Sequence, residues 1–332
     1  MQRKILPLLL LVFAFAAFGQ KIAEFPQLFK PGTITFDSNR LYITQEASIH
    51  IYSLPDYKLI KTFGRGGEGP QEFIINQNQR LLVFLTPDHI VVNSIGKVSL
   101  YTKDGTFVKE LKAVRGGPFM PLGDGFLGRD FTQEQGKNSI TTNIYDANLT
   151  KVKEVTRIEI PQRGPTINAF SAAITSIAYG DKIFTAGKKE FFISIFDLHG
   201  NPLTSITRED YQYKTITEED KERYFSSVKA RFTEPGQYEY IKKNTQFPET
   251  YPAIQQFYLA DNKIYIQTYN EKDGKFEFII YNTDGQFVKT TFISMVRSST
   301  GMFYPMAFHK GKFYQLIEND KSEKWELYAF EI

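Results

Sequence analysis

Leu100-Tyr101-Thr102-Lys103-Asp104-Gly105-Thr106-Phe107-Val108 and, far along the chain, Ile280-Tyr281-Asn282-Thr283-Asp284-Gly285-Gln286-Phe287-Val288 are two copies of one pattern. An apolar–aromatic strand end is followed by a polar turn and a second short strand. Asp-Gly supplies the positive-φ residue that a tight hairpin needs. Less complete copies run from Ile51-Tyr52 to Leu59-Ile60, from Ile144-Tyr145-Asp146 to Val152, and from Ile195-Phe196-Asp197-Leu198-His199-Gly200 to Leu203. With Phe330 as a sixth copy, the aromatic marker falls at Tyr52, Tyr101, Tyr145, Phe196 and Tyr281, with gaps of 49, 44, 51, 85 and 49 residues. Four of these gaps match a propeller blade of about 40–50 residues.

A second marker precedes each first one. It is a turn followed by a β-rich pair, at Asn39–Ile43, Asp88–Val92, Asp124–Leu127, Asp181–Phe184, Asn262–Tyr265 and Lys310–Tyr314. Two markers in phase, six times each, predict an all-β chain: a six-bladed β-propeller, each blade four short strands a to d stacked radially about a channel. The last unit supplies only three strands, near 303–308, 313–317 and 325–332, before the chain stops. Residues 22–29 belong to no blade. They are expected to provide the missing outer strand, so that the two chain ends close the ring without an unpaired edge. The long gap predicts an insertion at about 209–252, between blades 4 and 5. Thr217 followed by Glu218-Glu219-Asp220 reads as an N-cap and an acidic first turn. Tyr224, Phe225, Val228 and Phe232 then form one apolar stripe. Pro235-Gly236 is expected to end this helix, and the stretch to Pro252 to be loop.

Phe and Tyr, 30 and 19 residues respectively, suit half-buried strands. The first nineteen residues read as a signal peptide: Arg3 and Lys4, an apolar run over 5–18 broken by Pro7, and small residues Ala17 and Gly19 before Gln20. The run is shorter than the ~20 residues of a comfortable membrane span, and an uncleaved anchor is the competing reading. Cleavage would leave residues 20–332 with 38 basic and 37 acidic side chains. That balance carries no footprint for nucleic acid, and no later segment is apolar enough to span a bilayer. The expected address is periplasmic or extracellular. The chain has no cysteine, so disulfides, thiolate metal sites and a cysteine-linked lipid anchor are all excluded.

Phe63-Gly64-Arg65-Gly66-Gly67-Glu68-Gly69-Pro70-Gln71-Glu72-Phe73 resembles the interblade segment of NHL-type repeats. It is still more similar to the exported six-bladed propeller family common in Bacteroidetes, described as TolB-like or NHL-like. Arg115-Gly116-Gly117-Pro118 is an echo one blade on, and Phe247-Pro248-Glu249-Thr250-Tyr251-Pro252 resembles that family's return from its insertion. The resemblance spans roughly 22–332 and implies the fold; it implies little about activity. Two departures stand out. Many relatives carry a lipid-bearing cysteine, absent here, and the other blades lack the NHL glycine pattern.

Gly64-x-Gly66-x-x-Gly69 matches the dinucleotide fingerprint in letters only. A pyrophosphate site needs a helix N-terminus directly after it, and Pro70-Gln71-Glu72-Phe73 follows instead. The segment reads as a tight connection from strand d to the next strand a. In a propeller such connections gather with the b–c turns on one face. Arg65 and Glu68, with Arg115, Arg129 and Arg163 near corresponding turns, are therefore candidate ligand-binding residues, guanidinium groups suiting carboxylate or phosphate. The competing reading pairs Arg65 with Glu68. His50, His89, His199 and His309 show no metal-ligand spacing. Asp37, Asp88, Asp130 and Asn93 are the residues a channel-floor calcium site would draw on, without a local calcium loop. No catalytic residue, metal or cofactor is implied. The expected function is non-catalytic binding of a ligand or envelope protein at the channel face and insertion. A metal-assisted hydrolase or lyase and a structural envelope component are the alternatives.

Overall fold

The residue after five of the six aromatic markers closes the following turn. Side-chain oxygens of Ser53, Thr102, Asp146, Asp197 and Asn282 accept the backbone N–H of Lys58, Thr106, Thr150, Asn201 and Gln286 at 3.2, 3.1, 2.8, 2.8 and 2.8 Å. Short polar side chains at this position satisfy the donors that a hairpin turn leaves open. Gly105, Gly200 and Gly285 take the positive φ the turns require, at 76°, 71° and 86°.

The computed structural model describes residues 19–332 apart from 76–79, 114–115, 161–165, 171–174, 188–189, 233, 235 and 299–300. Among the described residues, six four-stranded antiparallel sheets form the blades of a six-bladed propeller. Blade 1 comprises Pro31–Phe36, Arg40–Gln45, Ser48–Ser53 and Leu59–Phe63 as strands a to d. Blades 2, 3 and 4 open at Leu82–Leu85, Met120–Leu122 and Thr175–Tyr179, and close at Phe107–Lys112, Lys151–Ile160 and Pro202–Thr207. Blade 5 runs through Gln256–Ala260, Lys263–Lys272, Lys275–Asn282 and Phe287–Ile293. The buried apolar side chains fall into clusters lying in the seams between neighbouring blades. One joins Tyr42, Ile51, Ile90 and Tyr101 of blades 1 and 2; another joins Phe184, Ile195, Phe257 and Ile266 of blades 4 and 5. Alternation along strands b and c sends side chains to both faces of each sheet, so every blade packs against both its neighbours.

Blade 6 contains Met306–His309, Lys312–Asn319 and Lys324–Glu331, and its fourth strand is Gln20–Phe25. The ring is therefore closed by the two ends of the chain, as expected. The closing strand starts two residues earlier than predicted and stops at Phe25, because Pro26 has no N–H to extend the ladder. Its pairing runs from Gln20↔Ala329 to Phe25↔Trp325. Leu28 then turns inward, and the Gln45 side-chain carbonyl accepts the backbone N–H groups of Phe29 and Lys30 at 2.7 and 3.2 Å. Phe25 and Leu28 pack with Leu41, Tyr52, Leu316 and Leu327 in the blade 6–blade 1 seam.

Charges tie the same closure. Glu326 is buried, and its carboxylate accepts hydrogen bonds from Lys21, Asn319 and Tyr328. Burial alone would raise its pKa, but these donors, Lys21 foremost, hold it below the ordinary value of 4.5. A group depressed in the folded state stabilises it above the ordinary value, and that contribution disappears as pH falls through the folded value. Urea unfolding followed from pH 7 to pH 3 is thus expected to show acid destabilisation that Glu326→Gln reduces. An identical pH dependence in both proteins would remove Glu326 from this account.

Candidate functional site

The insertion between blades 4 and 5 is built on a hydrogen-bonded stalk. Ile216 N–H donates to Glu249 at 3.0 Å and Tyr251 N–H to Lys214 at 2.9 Å. From this stalk rises α1 (Glu218–Arg231), capped as its sequence predicts. The Thr217 hydroxyl oxygen accepts the Asp220 N–H at 3.2 Å, and the Asp220 carboxylate accepts the Thr217 N–H at 3.0 Å. The expected loop after it is in part a second helix, α2 (Gln237–Asn244), whose N-cap is Gly236 at φ 78°. Its polar sequence has no buried residue, so no apolar stripe announced it. After α2, Thr245–Gln246 pairs in parallel with Ile167–Asn168, tying the insertion to the connection between blades 3 and 4.

Where α1 leans over blade 5 and the blade 5–blade 6 connection, a cleft of about 550 Å3 opens. Four aromatic rings line it: Phe170, Tyr224, Tyr251 and Tyr269. Tyr251 and Tyr269 stack at 4.3 Å between centroids. Around the rings stand four cations, Lys214, Arg223, Arg231 and Arg297, against two carboxylates, Asp220 and Glu271. Asp220 does double duty. It caps α1, accepts from the Tyr251 hydroxyl, and faces Arg223 at 3.7 Å. Burial favours its neutral form, yet the Thr217 and Tyr251 donors and the Lys214 charge hold its pKa below the usual range. Tyr251 is pushed well up by burial and then by the Asp220 charge, and Tyr269 is raised by burial to about 12. Both phenols are neutral donors at physiological pH.

Arg297 is held by its surroundings. Its guanidinium lies 4.3 Å from the Phe303 ring centroid and 5.1 Å from that of Phe276, and Nη1 donates to the Gly301 carbonyl at 3.3 Å. Burial lowers its pKa while the Glu271 charge opposes that shift. An arginine so placed remains charged and keeps planar donors for an anion. Lys214 Nζ sits 5.5 Å over the Tyr251 ring.

The residues singled out from sequence lie elsewhere. Arg65 is exposed on the Gly-rich connection and pairs at 2.8 Å with Glu72, rather than with the exposed Glu68. Glu72 also accepts the Gly69 N–H at 2.9 Å, so the connection is bound upon itself. Gly67 and Gln71 carry positive φ, and this winding brings Glu72 to Arg65. Arg65–Gly66 and Glu72–Phe73 form a two-residue parallel pair with no helix behind it. Arg129 is not at a turn: it is half-buried within strand b of blade 3, Gly125–Glu134, opposite Thr142. Arg115 and Arg163 lie outside the described residues. Arg65, Glu68 and Arg129 do not line the aromatic–cationic cleft. Among the described residues no group of three or more His, Asp or Glu side chains is arranged to hold a metal ion. Asp37 accepts the Asn39 and Arg40 N–H groups, and Asn93 clips both backbone groups of Phe119.

Sequence reasoning placed the insertion and marked the 247–252 return, but passed over Phe170, Tyr269, Glu271 and Arg297. These come from separate connections and strand ends, and no spacing rule relates them.

No family model matches the chain, and no curated protein does. Among solved structures, a Bacteroides fragilis NCTC 9343 protein named "Putative exported protein" is 14% identical, with a TM-score of 0.57 over 95% of this chain and 94% of that one. KlHsv2 with loop 6CD replaced by a Gly-Ser linker is 8% identical over 93% of this chain and 98% of that one, with a TM-score of 0.41. The first likeness is one of fold and the second carries no argument. Among the described residues no helix is long and apolar enough to cross a membrane. The chain is a six-bladed β-propeller with a helical insertion, similar in fold to a Bacteroides fragilis protein named for export.

Proposed function

We propose that this chain is an exported, non-catalytic binding protein that takes an anionic ligand in the cleft between α1, blade 5 and the blade 5–blade 6 connection. The reading of residues 1–19 as a cleaved leader, the resemblance of 63–73 to exported propellers and the name of the structural neighbour support export. The observation that carries the binding reading is the four-to-two excess of cations over carboxylates on an aromatic floor within about 550 Å3. Pockets of a few hundred Å3 with a few convergent polar groups are the usual form of small-ligand sites. Arg297, fixed between two rings, and Arg223, on the exposed face of α1, are the proposed anion contacts. The anion is a carboxylate, sulfate or phosphate group, which a guanidinium binds with two parallel hydrogen bonds.

Sulfate serves as the test probe. Titrated by calorimetry at low ionic strength, it is expected to bind the wild-type protein. Arg297→Gln and Arg223→Gln are each expected to weaken that binding about tenfold, the scale of one charge-assisted hydrogen bond. Arg65→Ala, which removes only an exposed ion pair, is expected to leave it unchanged and to leave the urea midpoint unchanged. Loss of sulfate binding in Arg65→Ala with none in the two cleft variants would move the site to the Gly-rich connection and overturn this reading.

A further inference from the structure

A second cleft of about 760 Å3 lies on the other side of Phe170 and Tyr251, which line both. Its chemistry is different. Tyr213, Phe247, Pro248 and Pro252 form its walls, Glu190 is its one ionisable acid, and no lysine or arginine lines it among the described residues. Among the described residues, cations thus line one side of a shared aromatic ridge and not the other.

The ridge is a held feature. Phe170 is a non-glycine residue at φ 55°, in the left-handed region. That conformation is unfavourable for a residue with a Cβ and persists only where the surroundings impose it. Here they do. Tyr251, Tyr224, Phe247 and Tyr269 ring Phe170 at centroid distances of 4.6, 5.3, 6.0 and 6.1 Å. The preceding residue, Ala169, is buried and donates its N–H to Gln246 at 2.9 Å. Tyr213, at 44% exposure, leaves a large aromatic face open to solvent beside this ridge.

From the shared walls and the division of charge we infer that the ligand is bipartite, with an anionic head in the cationic cleft and a flat apolar body lying over the Phe170–Tyr251 ridge into the second cleft. This rests on the reading of the first cleft as an anion site. The class is an aryl or similarly flat apolar compound ending in a carboxylate, sulfate or phosphate. The apolar body gains by covering Tyr213, Phe247 and the two prolines. Joining head and body makes the second contact intramolecular, so the whole ligand binds more tightly than either part.

Three probes separate the parts: 8-anilinonaphthalene-1-sulfonate for head and body together, sulfate for the head, and uncharged N-phenyl-1-naphthylamine for the body. The joined probe is expected to bind one-to-one, at least about tenfold tighter than either half. Arg223→Gln is expected to weaken the joined probe and sulfate about tenfold and leave the neutral probe alone. Phe247→Ala and Tyr213→Ser are expected to weaken the joined and neutral probes, and Tyr213→Ser to leave sulfate alone. Tyr213 is exposed, so its variant tests the inference even if Phe247→Ala does not fold. If the joined probe responds to Arg223→Gln but to neither aromatic variant, the anion site stands and the bipartite ligand is wrong. If neither it nor sulfate responds to Arg223→Gln, the anion site itself is wrong.

Discussion

A chain that begins at residue 30 is expected to lose the cooperative unfolding transition of the protein that begins at residue 20. The removed segment carries the outer strand of blade 6, and its absence leaves the Lys324–Glu331 strand with one row of unpaired backbone groups. It also removes Phe25 and Leu28, at 1% and 3% exposure, from the blade 6–blade 1 seam. The single substitution Phe25→Ala isolates the packing share. A buried Phe replaced by Ala costs about 3–5 kcal/mol, transfer and cavity together. The ring of Phe25 meets Tyr52 edge-on at 4.7 Å, so the cavity would open between the first and last blades. Urea denaturation followed by circular dichroism measures both proteins. A truncated chain with an unchanged midpoint would mean that the ring is closed by something other than its two ends.

Gly64→Ala is expected to destabilise the protein by about 2–5 kcal/mol, the sum of a left-handed backbone penalty and an overpacking penalty. Gly64 has φ 85°, and a Cβ there would lie 2.4 Å from the Phe73 ring and 2.8 Å from the Ala47 carbonyl oxygen. Phe73 is fully buried and cannot swing aside. Gly96→Ala is the control. Gly96 has a similar φ of 78°, but a Cβ there meets nothing within 4 Å. Its variant is expected to cost only the backbone term, about 1–2 kcal/mol. The difference between the two midpoints reads the packing contribution directly. Equal losses would show that Phe73 and Ala47 accommodate the methyl group and that the first glycine of the motif is retained for its φ alone.

The letters of that motif illustrate how far local pattern reaches. Gly64-x-Gly66-x-x-Gly69 announced a tight connection with no helix after it, and that is its form. The partner of Arg65 was not legible. Glu72, seven positions on, meets it because the intervening chain winds through Gly67 and Gln71 at positive φ, and the nearer Glu68 is left in solvent. The helix at 218–231 was legible because its cap is local: Thr217 and Asp220 bind each other's backbone across three residues. The helix at 237–244 was not, because it docks by no apolar stripe.

Blade number, strand order and ring closure follow from signals contained within a few residues and repeated at regular spacing. Turn-closing oxygens, positive-φ glycines and alternating apolar positions act over distances the chain spans locally, and the six-fold repetition multiplies them. The cleft has no such signal. Phe170, Lys214, Arg223, Tyr251, Tyr269 and Arg297 come from the blade 3–blade 4 connection, the insertion, blade 5 and the blade 5–blade 6 connection, and become neighbours only once these pack together. Their convergence depends on the rotation of each blade about the central axis, a property of packed sheets rather than of any segment. Linear spacing therefore carries the architecture, and three-dimensional closure alone decides which charges and rings face one another.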